Sequence, residues 1–463
     1  LLLLLQTICL SPHLGAAKPN LIVVFIDDMG WGDFSCFGNT TAETDHIDRL
    51  AEEGLRFHHF YVNSPICSPS RTALTTGQYP QRWRITSYLA HRKANQQRGV
   101  AQWLDAKAPT LARILKNNGY ATGHFGKWHM GGQRDVGDAP LITEYGFDES
   151  LTNFEGLGDR VLALKHTPKG GEPAKHVMGS DTLGRGKLHW VDRPLVTESF
   201  VTRAVEFIGK AGKEKKPFYI NLWPDDVHTP MVPHLAKWGD GAPRTLYNAV
   251  LETMDEQFGV LFDHVRGDAA LRDNTLIVVC SDNGPEVGYG LPGPFRGSKA
   301  TLYEAGVRSP LVVWGPGLIS GDQEGSVNKS SVFSAIDLVP SLLAIAGAET
   351  PGGVTFDGED LSATLLGKAT AGRAKPLFFR RPPDRENFRH FKGLPDLAVR
   401  KGTWKFYIED DRSGPQLYDL AKDVGETTNV ADQHPELVKR LTREVFAWNG
   451  ARPADAGSKG MAG

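Results

Sequence analysis

Cysteine is scarce in this sequence, with four among 463 residues. If Cys9 leaves with a leader, Cys36, Cys67 and Cys280 remain, at spacings that fit neither a zinc motif nor a small disulfide scaffold. One disulfide between two of them leaves a thiol over, for which Cys67 is the candidate. An excess of charge of one sign is also missing, because 52 Lys+Arg stand against 54 Asp+Glu for a net −2. That balance excludes a global field that would draw in nucleic acid or an anionic bilayer, so any affinity for anions has to be local. No internal repeat is found. At 40% hydrophobic and 23% charged residues the composition excludes collagen-like, fully disordered and coiled-coil chains. The apolar run Leu1 to Leu10, broken by Gln6 and Thr7, is shorter than the about 20 residues that span a bilayer, and no stable membrane insertion is expected. With Gly15-Ala16-Ala17 ahead of Lys18, residues 1–17 read as a signal peptide remnant. The mature protein is then expected to begin near Lys18 and to be secreted or periplasmic.

What is present is an alternation of strands and helices. Asn20 to Ile26 is a continuous apolar, β-branched run ending in Asp27-Asp28-Met29-Gly30, the pattern of a strand buried on both faces of a parallel sheet. Thr275 to Cys280 repeats it and ends in Ser281-Asp282-Asn283-Gly284, while Phe218 to Leu222 and Leu311 to Trp314 read as further strands. Apolar spacing near 3.6 predicts helices at about 46–54, 108–118, 196–211 and 245–266. The expected fold class is α/β, a large mixed and mostly parallel sheet sandwiched by helices, over a main domain 18–370. Short alternating segments at Leu397 to Arg400, Trp404 to Ile408 and Gln416 to Leu420, then an amphipathic stretch near 434–448, predict a small α+β subdomain 371–463 with an antiparallel sheet and one helix. The long Gly-rich stretches 128–195 and 284–298 suit binding loops.

Ligands of parallel sheets sit beyond the carboxyl ends of the strands, where Asp27-Asp28 and Asp282-Asn283 converge. An all-oxygen set of this kind suits a hard divalent cation, and calcium tolerates its irregular geometry better than magnesium. A sharper feature is Cys67-Ser68-Pro69-Ser70-Arg71, followed by Leu74 and Thr76-Gly77. This stretch resembles the activation signature of the sulfatase family in the alkaline phosphatase superfamily. Gly119 to His129 is similar to the second signature of that family. The likeness extends to Asp27-Asp28, Ser281 to Gly284, Arg296 to Lys299 with Tyr303-Glu304, and Leu417 to Leu420 with Gly425-Glu426.

The resemblance implies an alkaline phosphatase-like fold, sulfuric ester hydrolysis, and oxidation of Cys67 to formylglycine (3-oxoalanine) by a formylglycine-generating or equivalent maturation enzyme. A hydrated aldehyde carries two geminal hydroxyls, one to attack sulfur and one to expel sulfate, which gives covalent catalysis its own exit. It implies one calcium ion held by Asp27, Asp28, Asp282 and Asn283 with residue 67, which lowers the attacking oxygen's pKa. Lys127 and Lys299 match the sulfate-contacting lysines, Arg71 the arginine that holds the hydrate, and His129 the histidine that takes its proton. His228, in Asp226 to Pro230, matches a histidine that contacts sulfate or protonates the leaving group.

Three departures bear on packing: Thr75 in place of a large apolar residue, Phe125 in place of a small one, and Thr44-Asp45-His46-Ile47-Asp48 in place of Thr-Pro-Asn-Ile-Asp. The segment Phe378 to Lys392, with Arg380, Arg381, Arg385, Arg389 and Lys392 interleaved with aromatics, is expected to line the pocket for an anionic ring such as a sulfated carbohydrate. Two alternatives stand beside the sulfatase reading. One is a phosphoester or phosphonate ester hydrolase of the same superfamily, the other a non-catalytic extracellular glycan-binding protein.

Overall fold

A computed structural model describes residues 18–384 and 394–457. The large sheet has twelve strands: β1 (Asn20–Ile26), β2 (Leu55–Tyr61), β3 (Ala121–Gly126), β4 (Glu149–Thr152), β5 (Arg160–Lys165), β6 (Ala174–His176), β7 (Leu188–Asp192), β8 (Phe218–Trp223), β9 (Thr275–Ser281), β10 (Arg308–Trp314), β11 (Ser326–Asn328) and β12 (Phe333–Ser334). They run in the order β11-β2-β10-β9-β1-β8-β3-β4-β5-β6, with β12 added to β2 and β7 to β5. The centre is parallel, and β10 is antiparallel to both β9 and β2.

Every residue of β1 is buried because it has a strand on each side and a hydrophobic layer on each face. Leu21, Val23 and Phe25 point into one layer and Ile22, Val24 and Ile26 into the other, the period of two that a strand imposes. Each such side chain contributes about 1.5–3 kcal/mol through burial. Helices Cys67–Thr76 and Ala335–Ile345 close the first layer, and Asp45–Glu52, Val196–Lys213 and Pro243–Gly267 close the second.

Register is what places the site. β1 and β9 pair without a slip from Asn20↔Thr275 to Ile26↔Ser281, so the acidic residues after each strand emerge side by side. Asp282 N–H donates to the Ile26 carbonyl (2.9 Å), and Asp28 N–H donates to Asp282 Oδ1 (3.1 Å). At the end of β3, Gly126 has φ +129 and lies so close to β8 that a Cβ there would sit 2.1 Å from the Trp223 carbonyl oxygen. Only glycine fits, and the next residue, Lys127, is thereby delivered to the same end of the sheet.

The second sheet comprises β13 (Leu377–Arg380), β14 (Leu397–Lys401), β15 (Trp404–Ile408) and β16 (Gln416–Asp419), antiparallel in that order. Leu397, Val399, Phe406 and Ile408 face the helix Pro435–Gly450, while Ala398 and Tyr407 face the main core. The fold class is as expected. The stretch 128–195 is more structured than a binding loop, since it contributes β4 to β7; β6 and β7 are three and five residues long with no fully buried side chain, too short to show a period in the sequence. Among the described residues the disulfide left open by the sequence is absent: Cys36, Cys67 and Cys280 are all free.

The two sheets are joined by a buried ion cluster built on Glu304. Its carboxylate meets Lys405 Nζ (2.9 Å), Arg308 Nη1 (3.2 Å) and the Tyr61 hydroxyl (2.7 Å), and its backbone N–H donates to Glu426 (2.8 Å). Lys405 is fully buried, so removing its partner strands a charge. Glu304→Ala is expected to cost about 3–5 kcal/mol, read as a lowered denaturant midpoint. An unchanged midpoint would show that the cluster does not hold the sheets together.

Candidate active site

Cys67 is the first residue of its helix, after Ile66 in extended conformation (φ −152, ψ 153). Pro69 falls in the first turn, where its missing N–H has no intrahelical partner to lose, and Gly77 ends the helix at φ +66. The motif's hydroxyls hold this helix start in place. Ser70 Oγ donates to the Ser64 carbonyl (2.7 Å), and Ser68 Oγ accepts from Leu89 N–H (2.9 Å). Cys67 is 2% exposed, and burial pushes its thiol well above the usual range despite Lys127 and Lys299 nearby.

Beside it lie three buried carboxylates. Asp27, Asp28 and Asp282 each offer an oxygen, all within 4.8 Å of one another. Arg71 Nη2 bridges Asp27 Oδ1 (3.1 Å) and Asp282 Oδ2 (2.7 Å), and its Nη1 donates to the Lys127 carbonyl (3.0 Å). Lys127 Nζ pairs with Asp27 Oδ2 at 2.6 Å; Lys299 Nζ pairs with Asp28 and, at 3.2 Å, with Glu286. Burial works against both ammonium groups, but Asp27 holds Lys127 and Asp28 holds Lys299 above the ordinary lysine range, so both are charged. Burial and the adjacent Asp27 carboxylate push Asp282 well above the usual carboxylate range. Asn283 donates Nδ2–H to Asp28 Oδ1 (2.7 Å) and leaves Oδ1 buried with no partner.

These residues fit a hard divalent cation. The donors are all oxygen, three carboxylates each bring an oxygen within 4.8 Å of the others, and one amide oxygen is unsatisfied. Asp27, Cys67 and His228 also bring ligand atoms within 4.8 Å of one another, which sets residue 67 at the edge of the same cluster. Asp28 adopts φ +59 and His129 φ +54, left-handed conformations that cost non-glycine residues about 1–3 kcal/mol and persist where the surroundings fix them.

A cavity of about 280 Å³ opens over this cluster, and Cys67, Lys127, His129, His228 and Lys299 line it. His228 has its side chain 26% exposed and its Nε2 3.5 Å from Asp28. Asp27, Asp28, Asp282, Asn283 and Arg71 are buried and not among the lining residues. Arg71, which the resemblance assigns to the hydrate at residue 67, also bridges Asp27 and Asp282. Tyr88, Arg134, Phe154, Glu155 and His176 are also on the wall, and the motifs do not single them out. All but Tyr88 lie within the Gly-rich stretch 128–195, whose composition was the one available clue. Of the basic segment, Arg380 and Arg381 pair with Asp455 and Asp396, whereas Arg385, Arg389 and Lys392 lie outside the described residues. A larger cleft of about 500 Å³ along the helix Val196–Lys213 contains none of these groups, so chemistry rather than size selects the site.

A family model described as Sulfatase matches residues 19–348. The chain is 30% identical to an N-acetylgalactosamine-6-O-sulfatase of Bacteroides thetaiotaomicron, with 92% of each covered, and 31% identical to human arylsulfatase A, with 92% of this chain and 87% of the relative covered. Among solved structures it is similar to Ps i-CgsB bound to k-i-k-neocarrahexaose (26% identity, TM-score 0.76, 93% and 92% covered). It is also similar to a protein solved in work on the metabolism of multiple glycosaminoglycans by Bacteroides thetaiotaomicron (27% identity, TM-score 0.73, 93% and 99% covered). With a match of this extent and a cysteine, two lysines and an acidic cluster gathered at one end of the sheet, the chain belongs to the sulfatase family and is a sulfuric ester hydrolase.

Proposed function

We propose that the protein removes sulfate from a carbohydrate outside the cytoplasm, with residue 67 converted to formylglycine by a maturation enzyme and calcium held by Asp27, Asp28, Asp282 and Asn283. The observation that carries this reading is the pair of buried ammonium groups, Lys127 and Lys299, on the wall that also presents Cys67. The formylglycine hydrate supplies the attacking hydroxyl, and the cation supplies Lewis-acid charge to it. Lys127 and Lys299 bind and orient the sulfuryl oxygens, each worth on the order of 4 kcal/mol at 4 Å and an effective dielectric of 20, before desolvation. His129 takes up a proton at the buried wall, and His228, on the more exposed side, delivers one to the leaving oxygen. Carbohydrate is favoured because one relative at 30% identity is named for an N-acetylgalactosamine sulfate, one solved neighbour is bound to k-i-k-neocarrahexaose, and another was solved in work on the metabolism of multiple glycosaminoglycans. Export is supported by the leader-like residues 1–17, which lie outside the described residues, and is checked by whether protein recovered outside the cytoplasm begins near Lys18.

Phosphate monoesters carry an extra negative charge that a second metal usually answers. Asp28, His228 and Glu286 also bring ligand atoms within 4.8 Å of one another, but that set shares Asp28 with the first cluster, and Lys299 Nζ stands 3.2 Å from Glu286. A fixed single charge there suits sulfate. Matched aryl esters are expected to give a sulfate-to-phosphate ratio in kcat/KM of about 100 or more, and defined sulfated mono- and disaccharides are expected to surpass the aryl sulfate. A preference for the phosphate ester, or turnover of no sulfated saccharide, would overturn the proposal.

A further inference from the structure

One buried carboxylate on the cavity wall belongs to none of the motifs. Glu155 lies beyond the end of β4 and is 2% exposed. Its Oε2 stands 2.9 Å from His129 Nε2, and the same nitrogen stands 2.9 Å from the carbonyl oxygen of Leu89. A carbonyl can only accept, so Nε2 carries the hydrogen and donates it to Leu89, while the Glu155 carboxylate stands beside that N–H as an ion-pair partner whose Oε2 makes no hydrogen bond. Glu155 is ionised: burial raises it, but His129, Lys127 and Arg134 together bring it down to about 2. The other ring nitrogen, Nδ1, is buried with no hydrogen-bond partner, so the neutral ring has its lone pair there. The backbone repeats the attachment, because His129 N–H donates to the Glu155 carbonyl at 2.6 Å.

We infer that Glu155 is a positioning residue for His129: with the Leu89 carbonyl, its negative charge favours the hydrogen on Nε2, and it pairs with the imidazolium formed when Nδ1 takes a proton from the hydroxyl of residue 67. The inference rests on the reading of His129 as the proton acceptor. The balance is one proton. Nδ1 gains it, Nε2 keeps its own, Glu155 stays ionised throughout, and the ring later releases the proton to solvent. Burial drives His129 toward the neutral form, the Glu155 carboxylate opposes that, and Lys127 reinforces it. Tyr88, Arg134, His176, His228, Cys67 and Lys299 are the other titratable or cationic groups around the shared cavity, and among the described residues that line it Glu155 is the only carboxylate. Without Glu155 the imidazolium would keep only the Leu89 carbonyl and would face no carboxylate among the described residues of the wall.

The test uses the formylglycine-converted enzyme with 15N-labelled histidine, His129 being assigned by its loss in His129→Ala. The expected spectrum shows a hydrogen on Nε2 and none on Nδ1 in the neutral ring. In Glu155→Gln, His129 is expected to protonate only at lower pH, and kcat to fall about 10- to 100-fold with KM within about two-fold. Glu155→Asp keeps the charge and should recover part of kcat, which guards against a folding defect. Adding Glu155→Gln to His129→Ala should cost nothing further. A hydrogen on Nδ1, an unmoved His129 titration in Glu155→Gln, or fully additive losses would overturn the inference. A His129 titration that moves while kcat does not would uphold the pairing and remove His129 as the proton acceptor.

Discussion

Cys67→Ala is expected to lower kcat/KM for any sulfate ester by about 10⁴-fold or more, equivalent to about 5.5 kcal/mol of transition-state stabilisation. The side chain is small and 2% exposed, so alanine leaves a modest void and the fold should survive, with a melting temperature close to that of the parent. What disappears is the group that attacks sulfur, while Lys127 and Lys299 remain to bind it. Substrate affinity should therefore persist in the dead variant, as a split between binding and turnover. The unconverted thiol is expected to be nearly as inactive, because burial pushes Cys67 well above its usual range and keeps it protonated at neutral pH. Activity within tenfold of the parent in Cys67→Ala would remove residue 67 from the mechanism.

Asp282→Asn should be the second most damaging change. Asp282 accepts from Arg71 and from the backbone N–H of Asp28, and its position is fixed by the unbroken register of β1 and β9. Asparagine keeps the shape and removes one of three carboxylate charges from the cation cluster. In chelator-treated parent protein, calcium at 100 times its Kd should add about 2.7 kcal/mol of stability, visible as a higher melting temperature. The variant should lose that response over the same calcium range, with activity down about 10³-fold. A full calcium response in Asp282→Asn would place the ion elsewhere.

The parts of this site that a sequence reading reaches are those encoded locally. β1 and β9 announce themselves as unbroken β-branched runs, and the acidic pairs that follow them converge because parallel strands in register end together. Residues 67–76 form a helix whose first turn tolerates proline, so the signature carries its own geometry. β3 is harder, since Ala-Thr-Gly-His-Phe-Gly is poor in β-branched residues and becomes a strand through its neighbours β8 and β4. Glu155 is invisible from sequence because its meaning comes from a tertiary approach to His129 across 26 positions of the chain. Arg71 shows the same limit in reverse, as its motif position was clear but its pairing with Asp27 and Asp282 was not. The near-neutral net charge likewise concealed a polarised centre, in which three cations and three carboxylates are packed at one end of the sheet.

The most direct measurement is the mass of the peptide that contains residue 67, taken from preparations whose sulfatase turnover has been quantified. The aldehyde is expected to replace the thiol, and turnover to rise in proportion to the converted fraction, reaching zero when every molecule retains the thiol. Full turnover from protein in which residue 67 is unmodified cysteine would contradict this expectation.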